Sequence, residues 1–212
     1  MRSALRLALV ALTAGPCAAG AQAAGRTYGI YAGYSNATMR GDSVPGPLSK
    51  NGFQAGAFLV LPAGERLAIQ TELMFAQKGV TTIDARSTGV VSTDISASYV
   101  ELAELLRLNA GQWGGVSPYL LAGPEFALKA GCSVVAGGVA GNYTCADVGS
   151  VGGATNGVQS SDFGGIVGAG FDFRMGARKY TLAARYDFGL SDVVKNNAAR
   201  NRAFSVIAGV VW

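Results

Sequence analysis

The residues able to do chemistry in this chain of 212 residues are mainly carboxylates, arginines and tyrosines that alternate with apolar residues. Glu72 follows Gln70, and Asp187 follows Arg185, at a spacing of two, which puts each pair on one face of an extended strand. The full set with this placement is Gln70, Glu72, Tyr99, Glu101, Arg107, Tyr119, Glu125, Asp172, Arg185 and Asp187. Together they could form a buried network of ion pairs and hydrogen bonds, or line a narrow path for ions.

The composition argues against enzyme chemistry. The chain has no histidine, which excludes Ser-His-Asp triads, histidine-ligated metals and histidine proton relays. We see no nucleophile with a base beside it, and the glycine-rich segments contain no phosphate-binding G-x-x-x-x-G-K-[ST] pattern. We therefore expect no catalytic, cofactor-binding or metal-ligating residues and a protein that is not an enzyme.

Residues 1–23 have the pattern of a secretory signal peptide. Arg2 and Arg6 form a basic start, an apolar core follows, and Ala21-Gln22-Ala23 fits the A-x-A cleavage rule. We expect residues 24–212 to form the mature protein as a single domain. Without Arg2 and Arg6, the 17 Lys and Arg become 15 against 13 Asp and Glu, so the charge no longer suggests nucleic-acid binding.

Two cysteines remain after cleavage, Cys132 and Cys145, on either side of a glycine-rich stretch. An exported protein meets an oxidising compartment, where paired cysteines form disulfides. We expect a Cys132–Cys145 disulfide that closes a loop of roughly 14 residues and contributes up to about 3 kcal/mol.

Alternation of apolar residues with polar or small ones predicts strands throughout the mature chain. The last strand shows it best, because Phe204, Val206, Ala208, Val210 and Trp212 share a uniformly apolar face. The predicted strands are Tyr28–Tyr34, Gly52–Leu61, Arg66–Lys78, Tyr99–Asn109, Pro118–Leu128, Ser161–Phe173, Arg178–Phe188 and Asn201–Trp212. Two prolines, Pro118 and Pro124, are awkward in a central strand.

The connections between these strands alternate in length. Segments 62–65, 110–114 and 174–177 are short, whereas 35–50, 79–98, 129–160 and 189–200 are long. Short periplasmic turns and long extracellular loops are typical of outer-membrane barrels. We therefore expect an all-β fold, an eight-stranded antiparallel up-and-down transmembrane β-barrel in the bacterial outer membrane.

Aromatic residues on the apolar faces fall into two belts, as expected at two membrane–water interfaces. The periplasmic belt contains Tyr28, Phe171, Phe173, Tyr180 and Trp212. The outer belt contains Tyr34, Phe53, Phe75, Phe126, Phe163, Phe188 and Phe204.

Several segments resemble the PorT-like outer-membrane β-barrel domain family, an architecture related to the small OmpX and OmpA barrels. The segments are Tyr28-Gly29-Ile30-Tyr31-Ala32-Gly33, Glu72-Leu73-Met74-Phe75-Ala76-Gln77-Lys78-Gly79, Tyr99-Val100-Glu101-Leu102, Pro118-Tyr119-Leu120-Leu121-Ala122-Gly123-Pro124, Gly168-Ala169-Gly170 and Arg185-Tyr186-Asp187-Phe188-Gly189-Leu190. The resemblance implies such a barrel over essentially the whole mature chain. Phe204, Val206, Ala208, Val210 and Trp212 are similar to the C-terminal β-signal that barrel-assembly machinery recognises.

The chain departs from this family pattern near Ala103 and Glu104, where the family usually has a proline and an apolar residue. Glu104 shares the parity of the lipid-facing residues Leu102 and Leu106, so it is either a lipid-facing charge or part of a β-bulge. We favour the bulge.

These features predict an integral outer-membrane protein with an occluded polar lumen and an envelope-structural or surface-interaction role through its extracellular loops. The alternatives are a narrow pore for ions or small solutes, a lipid-modifying barrel enzyme, and a soluble lipocalin-like carrier with the faces inverted. Expected partners are outer-membrane lipids, lipopolysaccharide and, during insertion, the barrel-assembly machinery. We expect no nucleic-acid partner, and the sequence names no surface partner.

Overall fold

The computed structural model describes residues 25–40, 47–86, 89–136, 142–144, 159–192 and 199–212. Its strands are β1 (Thr27–Arg40), β2 (Pro47–Pro62), β3 (Leu67–Arg86), β4 (Gly89–Asn109), β5 (Val116–Ala136), β6 (Asn142–Thr144), β7 (Ser161–Met175), β8 (Arg178–Gly189) and β9 (Arg200–Val211). Each predicted strand coincides with one of these, and β6 is a short addition paired to the end of β5. In the part of the chain so described, no helix is long and apolar enough to cross a membrane.

The strands form a closed antiparallel barrel. Each strand pairs with the next one along the chain, except that β7 follows β5 in the sheet and β6 extends only the end of β5. The circle closes between β1 and β9, from the Gly29–Val211 pair to the Arg40–Arg200 pair. The predicted eight-stranded barrel is therefore confirmed, and closure pairs the strand edges that hydrocarbon could not solvate.

Side chains alternate between the interior and the outer surface. Along β9, Asn201, Ala203, Ser205 and Ile207 are buried, whereas the residues between them are exposed. The outer surface is apolar, and Phe204 and Leu106 remain 50% and 55% exposed there. An apolar outside with a polar inside is the arrangement of a lipid-embedded barrel, and it is inverted relative to a soluble lipocalin-like carrier.

The central strand β5 accommodates both prolines. The β4–β5 pairs run to Ala103–Glu125 and resume at Leu106–Ala122 with no change of register. Pairing is therefore interrupted at Gly123 and Pro124, where proline has no N–H to donate. This local gap in the ladder lets Pro124 lie in a central strand.

Segment 79–98, which the connection pattern predicts to be a long loop, is mostly strand. β3 and β4 stay paired from Gly79–Ser96 up to Arg86–Gly89. The alternation used for prediction fades here because a hairpin that leaves the bilayer needs no apolar face toward lipid. β5 likewise continues to Ala136, beyond the predicted end of its strand.

The predicted β-bulge at Glu104 is wrong. Glu104 pairs in register with Thr71, and its side chain is exposed on the outer surface. The register shift in β4 lies instead at Ser98 and Tyr99, which pair with Gly131 and Lys129. Of the two possibilities that the sequence left open, the lipid-facing charge is therefore the correct one. The hydroxyl of Thr71 donates a 2.9 Å hydrogen bond to the Glu104 carboxylate.

Two sequence predictions fall on residues outside the described ranges. The signal peptide of residues 1–23 is one of them. The other is the disulfide partner Cys145, whereas Cys132 lies in β5, where it packs beside Ala97, Tyr99 and Ala127. Both remain predictions.

Candidate functional site

The candidate functional site is the polar interior of the barrel. The structure buries every member of the predicted lumen set, each at most 4% exposed: Gln70, Glu72, Tyr99, Glu101, Arg107, Tyr119, Glu125, Asp172, Arg185 and Asp187. They come from β3, β4, β5, β7 and β8 and face one another because their strands curve around the same axis. Most of them take part in hydrogen bonds or ion pairs that lie at three levels along that axis.

The central level is an ion pair across the full width of the barrel. Arg185 donates from Nη1 to Glu72 Oε2 at 2.7 Å and from Nη2 to Glu72 Oε1 at 2.9 Å. Tyr31 also donates to Glu72, at 2.8 Å, and Gln70 donates to its other oxygen. The carboxylate is thus bound by groups from several walls, which offsets the cost of burying its charge.

The periplasmic level is centred on Arg107. Its Nη2 donates to Asp172 Oδ2 at 2.7 Å, its Nη1 donates to Gln70 at 3.0 Å, and its guanidinium lies 3.6 Å from the centre of the Tyr119 ring. Lys179, which is partly exposed, lies 2.8 Å from the same Asp172 oxygen. Arg107 and Lys179 therefore both compensate the negative charge of Asp172.

Among the described residues, the outer level has more buried acids than buried bases. Lys78 Nζ lies 2.8 Å from Glu101 and 2.8 Å from Glu125. One further oxygen on each carboxylate is buried without a hydrogen-bond partner among the described residues. Asp162 lies near this end too, where Ser191 and Asn201 donate to it at 2.5 and 2.8 Å.

Several interior residues lie outside the predicted lumen set, among them Lys78, Tyr31, Gln54, Asp162 and Ser205, all buried. Lys78 has the same parity as Gln70 and Glu72, so extending the alternation to the end of the predicted strand would have found it. Gln54 donates to Ser205 at 3.1 Å, a contact between β2 and β9 that no local pattern indicates.

Interior glycines make room for large side chains of the barrel itself. A Cβ atom at Gly170 would lie 2.6 Å from the Tyr119 ring, and one at Gly168 would lie 3.1 Å from the Arg185 side chain. The space beside these glycines is therefore filled by protein. In the described part of the chain, no group of three or more Cys, Asp or Glu residues is arranged to hold a metal ion.

The aromatic residues of the predicted belts all lie on the outer surface, exposed or half-buried. At the periplasmic end, the rings of Tyr28 and Trp212 stack with centroids 5.9 Å apart, and the rings of Phe173 and Tyr180 are 5.7 Å apart. At the outer end, Phe53 lies 5.7 Å from Phe75. The Tyr28–Trp212 contact spans the β1–β9 junction, where the barrel closes.

Above the outer belt, the β3–β4 hairpin carries a polar cluster. The hydroxyl of Thr81 donates a hydrogen bond to Asp94, and Lys50 Nζ lies 3.3 Å from the same carboxylate. Both contacts favour the charged form, so the pKa of Asp94 lies below its usual value. This cluster ties β2 to the projecting hairpin.

Comparison with solved structures finds small barrels of similar length. Ail, the attachment invasion locus protein of Yersinia pestis, was solved with the heparin analogue sucrose octasulfate; it is 14% identical, with 88% of this chain and 99% of Ail covered and a TM-score of 0.43. Neisserial surface protein A is 16% identical, with coverages of 88% and 98% and a TM-score of 0.49. OprG from Pseudomonas aeruginosa is 11% identical, with coverages of 88% and 95% and a TM-score of 0.49.

No curated protein matches the chain in sequence. The family described as "Outer membrane protein beta-barrel domain" matches residues 21–195, which is most of the chain. This match agrees with the closed barrel, the apolar outer surface and the polar interior. The chain belongs to the outer membrane protein beta-barrel domain family.

Proposed function

We propose that this protein is an integral outer-membrane barrel with a sealed lumen, and that it has an envelope-structural or surface-interaction role through its extracellular part. The observation that carries the proposal is the bidentate ion pair between Arg185 and Glu72, which joins opposite walls of the barrel. An eight-stranded barrel has an interior just wide enough for side chains, and here charged side chains occupy it at three levels.

The energetics support a closed interior. Opening a path through the centre would separate Arg185 from Glu72 and deprive each buried charge of its opposite charge. Removing one partner from a buried ion pair typically costs about 3–5 kcal/mol. That cost favours the paired, occluded state over an open one.

The surface role is supported by the unequal lengths of the strands. β4 and β5 contain 21 residues each, whereas β8 and β9 contain 12 each. At roughly 2.3 Å of height per residue in a tilted strand, β3 rises about 25 Å from Phe75 to its end at Arg86. The projecting strands would give a partner an ordered surface.

Four further assignments belong to this proposal. The chain would be exported by a cleaved signal peptide at residues 1–23, and the barrel-assembly machinery would recognise the strand from Phe204 to Trp212. Its bilayer partners would be outer-membrane lipids and lipopolysaccharide. The similarity of its segments to the PorT-like barrels supports placing it in that branch of the family.

A second candidate function is a narrow pore. The observation that favours it is the excess of buried acids among the described residues of the outer level, where Lys78 lies at ion-pair distance from both Glu101 and Glu125. An interior with unbalanced negative charge would admit cations in preference to anions.

Single-channel recording in planar bilayers tests both candidates. We expect the wild-type barrel to show no conductance, and the Glu72→Ala/Arg185→Ala double variant to show cation-selective openings because its central closure is gone. Heat-dependent mobility in SDS gels must first show that both proteins are folded barrels. Stable openings in the wild type would refute the sealed lumen and support the pore.

A further inference from the structure

An arginine cluster, defined as Arg40, Arg200 and Arg202, lies at the outer ends of β1 and β9. All three residues are exposed. They share the outer face of the barrel with Tyr34 and Phe204, because they have the same parity along their strands.

The register places like charges together. Arg40 is directly opposite Arg200 in the β1–β9 ladder, and Arg202 lies opposite Thr38 one step further down the same face. Directly opposed like charges destabilise a pair of strands. Asp192, 3.5 Å from Arg200 Nε, offsets part of this charge. Within the described part of the chain, Arg40 and Arg202 have no ion pair, so the cluster retains excess positive charge.

The height of the arginine cluster above the outer aromatic belt indicates which part of the bilayer surrounds it. Tyr34 and Phe204, 51% and 50% exposed, belong to the outer aromatic belt, and aromatic belts mark the membrane–water interface. Arg202 and Arg200 are two and four residues above Phe204, which corresponds to about 5 and 9 Å of height. Their side chains therefore lie at the level of the lipid headgroups, facing outward into the leaflet.

We propose that the arginine cluster binds phosphate groups of the glycolipid in the outer leaflet. Guanidinium groups bind phosphate through paired hydrogen bonds, and an anion between Arg40 and Arg200 would convert their repulsion into attraction. The proposal deepens the lipid partnership above and rests on the outer-membrane location proposed there.

The test uses the folded full-length protein in phosphatidylcholine nanodiscs that contain a small fraction of lipid A, with bound lipid measured by native mass spectrometry. The test variant is Arg40→Gln/Arg200→Gln/Arg202→Gln. The matched control is Arg174→Gln/Arg178→Gln, which removes exposed arginines at the periplasmic end. We expect the cluster variant to bind bisphosphorylated lipid A about 100-fold more weakly and the control to bind like the wild type.

Two arms identify the source of the phosphate. Dephosphorylated lipid A should bind the wild type as weakly as the phosphorylated lipid binds the cluster variant. Millimolar inorganic phosphate should leave binding unchanged, and displacement at that level would show a site for a free anion and overturn the lipid assignment.

The binding of the cluster variant and of its control also tests the proposal. Equal binding by the wild type and the cluster variant would overturn the proposal, as would an equal loss in the control. If the triple variant lacks the heat-dependent mobility of a folded barrel, Arg202→Gln alone is used, with an expected loss of about fivefold. Membrane fractionation of cells tests the outer-membrane location separately, so failure of the location and failure of the site are distinguishable.

Discussion

Arg185 and Glu72 lie on opposite walls of the barrel, on β8 and β3, and their side chains meet through two hydrogen bonds of 2.7 and 2.9 Å. Three strands separate them around the wall on each side, so this contact spans the barrel's width. Because both groups are almost completely buried, each provides the charge that the other needs. The pair therefore bridges the interior and joins two opposite walls of the barrel.

Replacing one member of the pair should destabilise the barrel strongly. We expect Arg185→Met to lower the free energy of unfolding by about 3–5 kcal/mol, because Glu72 would keep a buried and unpaired charge. The Glu72→Met/Arg185→Met double variant should recover most of the loss. Urea unfolding in lipid vesicles, followed by tryptophan fluorescence, measures the difference. If the free energy of unfolding of Arg185→Met lies within about 1 kcal/mol of the wild-type value, the ion pair does not stabilise the barrel as expected.

Gly123 is expected to tolerate no side chain. A Cβ atom there would lie 2.0 Å from the backbone oxygen of Glu104 and 2.9 Å from the Cα of Leu105, and neither backbone atom can move freely. We expect Gly123→Ala to cost about 1–3 kcal/mol of stability in urea unfolding. Gly131→Ala, in the same strand but with nothing within 4 Å of the added atom, is the matched control. Equal effects of the two substitutions would argue against the close β4–β5 approach.

Removing the charge at Glu104 should stabilise the barrel in lipid. Its carboxylate is exposed on the apolar outer face, with only the Thr71 hydroxyl as a hydrogen-bond donor among the described residues. We expect Glu104→Leu to raise the free energy of unfolding in vesicles by about 1–2 kcal/mol. The gain should shrink in a short-chain detergent, which admits more water to this surface. A loss of stability in vesicles would mean that the carboxylate makes a favourable contact within the membrane.

The aromatic contact at the barrel junction should contribute to assembly. Trp212 stacks on Tyr28, and the two residues exchange backbone hydrogen bonds of 2.8 and 3.1 Å. We expect Trp212→Ala to lose about 0.5–1.5 kcal/mol of aromatic contact and to slow insertion into vesicles. Trp212→Phe should insert at nearly the wild-type rate, since it keeps an aromatic ring. The appearance of the heat-modifiable band over time measures both rates, and identical rates for the two variants would remove the assembly role of this ring.

The alternation of residues such as Phe204, Ser205 and Val206 was sufficient to predict the strands and the faces they expose. That success has a local cause, because a membrane barrel requires one apolar face along every spanning segment. Above the membrane the requirement disappears, and the paired residues from Gly79 to Ser96 could not be recognised as strand. The position of Glu104 was also ambiguous, since a bulge and a lipid-facing acid give the same local pattern.

By itself, the sequence determined the class of fold, the strand number and the inward direction of Glu72, Arg107 and Arg185, because alternation along a strand is a property of neighbouring residues. Only the tertiary structure decided which of these side chains meet. Arg185 reaches Glu72, Lys78 lies between Glu101 and Glu125, and Arg40 is opposite Arg200. These contacts depend on barrel curvature, on the stagger between strands and on closure of β1 against β9, and none of these quantities is encoded in a single segment.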